Sequence, residues 1–175
     1  MIAARSPATL TRAVAPATLL LVSLCVLFFG PLVVPLFRAT GVWPLAETGA
    51  FARDLLATYV CPTPAKSYWL VGYEMGVCAR CWGGTIGLWL AFFALRPLRF
   101  AAAPPAWLVR YRALPWPARL GLSALPFWLW IAEIVRWPGA PLPVLLVNGS
   151  IAGAAAGLFF CSIWPGLLPR TGNRS

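Results

Sequence analysis

Four apolar runs, each close to the length needed to cross a lipid bilayer, divide this chain; arginine-bearing breaks separate the first three, and a short turn at 138–141 separates the last two. The runs cover about residues 18–37, 77–95, 120–137 and 142–164. A hydrocarbon core of about 30 Å takes about 20 helical residues to span. Only 10% of the residues are charged, against roughly 25% in soluble domains, too few to cover a soluble surface. In lipid a backbone must satisfy its own hydrogen bonds, so such runs read as helices. The expected fold class is all-α, a polytopic membrane bundle of four transmembrane helices, with residues 1–175 as a single integral membrane domain. Ten Trp and four Tyr suit the belts at the two bilayer interfaces.

Arginine placement orients the bundle. Arg5 and Arg12 precede the first run, Arg96, Arg99, Arg110 and Arg112 fall between the second and third, and Arg170 and Arg174 follow the fourth. The positive-inside rule then gives both termini and the central break inside (N-in/C-in). The expected location is the inner (plasma) membrane, multi-pass, with the lipid bilayer as partner. The outer loop is 38–76, and Leu45, Phe51, Leu55 and Tyr59 within it follow the spacing of an interfacial helix over 45–60. Cys61-Pro62-Thr63-Pro64 ends that helix, because proline disfavours helix at the residue before it. A cleaved signal peptide is the competing reading of the first run. The net charge of +10 is dispersed through the breaks, so no nucleic-acid partner is expected.

The chain has no histidine, which removes Ser-His-Asp and Cys-His catalysis and the commonest transition-metal ligand. Five cysteines remain. Cys25 and Cys161 lie inside apolar runs and read as small packing residues. Cys78 and Cys81 stand three apart where the outer loop enters the second run, on nearly one helix face. The helix N-terminus and Arg80 favour thiolates there. Cys61, 17 residues upstream, is the natural third member, and Glu74 is the carboxylate candidate for completing a metal site.

Arg80 lies about one turn into the second run and Glu133 about one turn before the end of the third, so an antiparallel arrangement puts both at similar depth. An ion pair between them is expected, with Arg136 as the competing partner of Glu133 and snorkelling of both charges as the alternative. Gly149, Gly153 and Gly157 form a small-xxx-small stripe on the fourth run, and Gly83 and Gly87 do so on the second. Both stripes read as helix-packing faces that join these two helices.

The segment from Cys61 to Gly84 resembles the signature of a prokaryotic membrane-protein family known as domain of unknown function 2085. That signature runs from a first cysteine through a Pro-x-Arg-Ser-Phe segment to Val-Cys-x-Arg-Cys-x-Gly. Cys61, Pro64, Ser67, Gly72, Val77, Cys78, Arg80, Cys81 and Gly83 match it, and Lys66 and Tyr68 stand at its arginine and aromatic positions. Pro62 stands where the family has histidine, so a Cys₃His centre, if the family has one, would lack its fourth ligand here. The family name carries no activity to transfer.

Three readings of the cysteines follow. A disulfide from Cys61 to Cys78 or Cys81 would pin the outer loop and contribute roughly 3 kcal/mol. Three thiolates would hold zinc or another soft metal. A membrane thiol–disulfide or quinone oxidoreductase would use Cys78 and Cys81 as its reactive pair, with Arg80 stabilising a thiolate, and only Cys61 as a relay.

Overall fold

A computed structural model describes residues 7–95 and 105–164, the side chains of 7–17 excepted. Arg5, Arg96, Arg99, Arg170 and Arg174 lie outside the described residues, as does the side chain of Arg12. Six helices occur among the described residues: α1 (Pro7–Ala39), α2 (Trp43–Tyr59), α3 (Ala79–Leu95), α4 (Ala106–Ala113), α5 (Trp116–Arg136) and α6 (Leu142–Ile163). Three are long and apolar enough to cross a membrane: α1 over Thr18–Ala39, α5 and α6. At 17 residues α3 is shorter, about 25 Å of helix.

Three features differ from the sequence expectation. The break between the second and third apolar runs contains α4, and α5 begins at Trp116 rather than at 120. Pro115 is the N-cap of α5, and Pro117 lies in its first turn, where proline has its φ preset for helix and no donor to leave unpaired. The outer loop holds a two-stranded antiparallel hairpin, β1 (Trp69–Leu70) with β2 (Tyr73–Glu74). Val71 and Gly72 turn it with φ of 52° and 80°. Positive φ at both turn residues matches the right-handed twist of a hairpin, but it is a poor conformation for β-branched valine.

Helix direction alternates along the chain. Leu24, Phe28 and Pro31 of α1 meet Trp89, Trp82 and Gly76 in that order, so α1 and α3 run antiparallel. Arg119 and Glu133 of α5 meet Ser162 and Asn148 of α6, so these two are antiparallel as well. The tightest packing is between α3 and α6, which run parallel. A Cβ on Gly149 would overlap the carbonyl of Arg80, and one on Gly153 the carbonyl of Gly84. Gly83 and Gly87 stand likewise against Leu146 and Ser150, and Gly157 against Ala91. In lipid, where burial against a neighbouring helix gains no hydrophobic energy, such backbone approach is what holds helices together.

The bundle therefore has two ends. One gathers the C-termini of α1 and α5, the N-termini of α3 and α6, α2 and the hairpin. The other gathers α4, the N-terminus of α5 and the C-termini of α3 and α6, around a core of Leu24, Phe92, Leu95, Leu108 and Cys161.

Candidate metal centre

The cysteines are presented by a loop whose backbone is tied down at almost every step. Cys61 follows the last turn of α2 and donates its N–H to the Leu56 carbonyl at 2.9 Å. Ser67 Oγ and Arg53 Nη2 both donate to the Pro64 carbonyl, at 2.7 and 3.2 Å. Arg53 also pairs with Glu74 at 2.5 Å, joining α2 to β2. Lys66 Nζ donates to the Pro138 carbonyl in the turn between α5 and α6.

One of these ties comes from proline chemistry. Pro35 has no N–H, so the carbonyl of Pro31 lacks its usual helical donor four residues on. The Gly76 N–H donates to it instead, at 3.0 Å. Gly76 is wedged so closely that a Cβ there would press on Leu56 and Val34. Three residues later the Ala79 N–H donates to the Lys66 carbonyl at 2.8 Å. These bonds fix Cys78 between them, just ahead of the first turn of α3.

The three sulfurs of Cys61, Cys78 and Cys81 all lie within 4.8 Å of one another. Cys78 Sγ is 3.4 Å from Cys81 Sγ, and Cys81 Sγ is 4.0 Å from Cys61 Sγ. Cys78 is wholly buried and Cys61 nearly so. The Cys78 N–H points at Cys61 Sγ, 3.2 Å away. The Cys61 thiol is pushed above its ordinary value, chiefly by its hydrogen bond to Cys78.

All five cysteines are free. The disulfide anticipated from the sequence is not present, since 3.4 Å between the nearest sulfurs far exceeds a bond of about 2.05 Å. Glu74, the carboxylate candidate, is held by Arg53 and lies outside the sulfur group. Cys161 is buried in the core at the opposite end, and Cys25 is partly buried on α1.

Arg80 is 1% exposed. Its Nε and Nη2 donate to the two carboxylate oxygens of Glu133, at 3.1 and 2.9 Å. Arg136 is exposed and takes no part in this pair. Arg80 Nη1 donates to Thr63 Oγ1 at 3.1 Å, and Asn148 Nδ2 donates to Glu133 at 2.6 Å. A continuous polar chain thus links α6, α5, α3 and the cysteine loop. Thr63 and Asn148 were not assigned this role from the sequence. Asn148, the lone amide in an apolar run, is the signal that could have found it.

Residues 61–159 match the family described as predicted membrane protein (DUF2085). No curated protein and no solved structure matches the chain. The matched stretch begins at the first cysteine of the cluster, includes Cys78, Arg80 and Cys81, and ends within α6. The chain belongs to the DUF2085 family of predicted membrane proteins.

Proposed function

We propose that the protein is a four-span membrane protein, N-in/C-in in the inner membrane, that binds one soft metal ion through Cys61, Cys78 and Cys81 at its outer face. The observation that carries the metal is the spacing of the three sulfurs, all within 4.8 Å of one another. Sulfurs on one tetrahedral zinc at about 2.3 Å stand about 3.8 Å apart, between the separations of 3.4 Å for Cys78–Cys81 and 4.0 Å for Cys81–Cys61. The backbone N–H aimed at Cys61 Sγ is the kind of outer-shell bond that orients a thiolate ligand. Zinc and Cu(I) are the ions this donor set favours. Three protein ligands leave one coordination position for water or an incoming group, as in catalytic rather than structural zinc sites.

The alternating helix directions support four spans, with α3 as the second. Its shortness is compensated by the buried loop in front of it, since non-helical backbone at membrane depth is tolerated where protein covers it. The residues 1–175 form one integral domain in this reading, and α2 lies along the outer interface.

Metal content and free thiols measured together on detergent-purified protein test this. The expected result is one zinc or copper per chain, with five alkylatable thiols after chelation. Serine at Cys61, Cys78 or Cys81 abolishes retention, and serine at Cys25 or Cys161 does not. Well under one metal per chain in protein with five free thiols sinks the metal reading. A loss of two thiols that only a reductant restores would favour the disulfide or thiol-redox alternative. A topology reporter inserted after Tyr59 and found active in the cytoplasm overturns the orientation.

A further inference from the structure

The three sulfurs come from two separate pieces of chain. Cys78 and Cys81 sit at the start of α3, whereas Cys61 directly follows the end of α2. The segment Cys61-Pro62-Thr63-Pro64 has little with which to fix itself, because neither proline has an N–H to donate. The Cys61 N–H stays with α2, on the Leu56 carbonyl, and the Pro64 carbonyl is taken by Arg53 of α2 and by Ser67. Apart from the sulfur contacts, one side-chain hydrogen bond ties this segment to α3 among the described residues. It runs from Arg80 Nη1 to Thr63 Oγ1, at 3.1 Å.

That bond is aimed from the far side. A guanidinium is planar, and its donors are fixed relative to one another. Nε and Nη2 form one edge of the plane, and both rest on the two carboxylate oxygens of Glu133 on α5, at 3.1 and 2.9 Å. Once that edge is seated as a two-bond fork, the direction of Nη1 is set. Asn148 of α6 seats the carboxylate in turn, donating to it at 2.6 Å. Without the carboxylate the guanidinium is free to turn about its own bonds, and nothing else on the page aims it at Thr63.

We infer that Glu133 is a positioning residue for the metal centre, acting through the guanidinium of Arg80 on Thr63 and so on Cys61; the inference rests on the metal reading above. Cys61 is the ligand that depends on it. Cys78 and Cys81 share one turn of chain at the start of α3 and move with that helix, whatever Glu133 does. Loss of the fork releases Thr63, and the Cys61 segment is then held to α2 but no longer set against α3. Removing a bond that orients a ligand from outside the coordination sphere changes metal affinity by roughly 10–100-fold. The hold on the metal is therefore set in part by α5 and α6, which contribute no sulfur.

Two measurements on the detergent-purified protein test the inference together: zinc affinity by competition with a coloured chelator, and the visible spectrum of the Co(II)-loaded protein. Thr63→Val removes the acceptor and keeps the shape, and Glu133→Gln removes the charge. Each should weaken zinc binding at least about tenfold. In both, the thiolate-to-cobalt absorption per bound cobalt should fall, because Cys61 no longer sits on the metal. Thr63→Ser keeps the hydroxyl and should retain both the wild-type affinity and the wild-type spectrum. Gly157→Ala controls for general destabilisation, since its Cβ presses on Ala91 far down α3. It should lower thermal stability, leave the cobalt spectrum unchanged and shift zinc affinity less than about twofold. Wild-type affinity and spectrum in Thr63→Val and Glu133→Gln overturn this inference alone, as does an equal loss of affinity in Gly157→Ala. A wild-type protein that holds no zinc or copper overturns the metal reading beneath it as well. If Glu133→Gln does not fold, the comparison of Thr63→Val with Thr63→Ser decides.

Discussion

Removing the Glu133 carboxylate should destabilise the bundle far more than removing the whole ion pair. In the wild type Arg80 makes two bonds to Glu133 and one to Thr63, and only 1% of it is exposed. Glu133→Leu leaves a buried guanidinium with Thr63 alone, and leaves the amide of Asn148 without its acceptor. Stranding one partner of a buried pair costs about 3–5 kcal/mol, or about two to four decades in the folded-to-unfolded ratio. Arg80→Leu strands the carboxylate instead, with Asn148 still donating to it, and should cost about 3 kcal/mol. The double variant Arg80→Leu, Glu133→Leu removes both charges and fills the space with apolar atoms. Such replacements are often neutral or stabilising, so the double variant should be more stable than either single one. Reversible unfolding in mixed micelles measures all four corners of the cycle. Single variants that each lose less than about 1 kcal/mol, or a double variant whose loss equals the sum of the two, would refute the reasoning.

Two further outcomes follow from backbone geometry. Gly153→Ala should cost about 1–3 kcal/mol because its Cβ overlaps the Gly84 carbonyl. Gly121→Ala on α5, where nothing lies within 4 Å, should be neutral or gain up to about 1 kcal/mol; equal effects at the two sites would contradict the close α3–α6 approach. Val71→Asn should raise stability by about 1 kcal/mol, since asparagine tolerates the positive φ that valine resists. A thermal shift in the opposite direction would show that the Val71 side chain contributes more than its strained backbone costs.

Helical character was legible because apolar runs of this length have few other ways to satisfy their backbones. The same composition hid the shorter elements. The α4 segment Ala106–Ala113 carries two arginines and reads as a hydrophilic break. The hairpin turn uses Val-Gly rather than the Asn-Gly that would have announced it, and Gly72 among aromatic and branched residues was the available hint. At the site, cysteine spacing put Cys78 and Cys81 on one face, and depth put Arg80 and Glu133 at a similar level. What spacing does not encode is which of several polar atoms fills the remaining bonds. Thr63 reaches Arg80 only because the loop folds back through Pro64 and Lys66, and Arg53 takes Glu74 away from the sulfurs only once α2 and β2 are side by side.

The carbonyl of Pro31, freed by the proline four residues on, has a consequence for how this protein can vary. It works as a fixed socket on the first long helix, and the grip on Lys66 supplies a second hold just past the cysteine. The hairpin tip hangs beyond both, so its length and composition can drift without moving a sulfur atom. The address of Cys78 is written in a different helix, more than forty residues away.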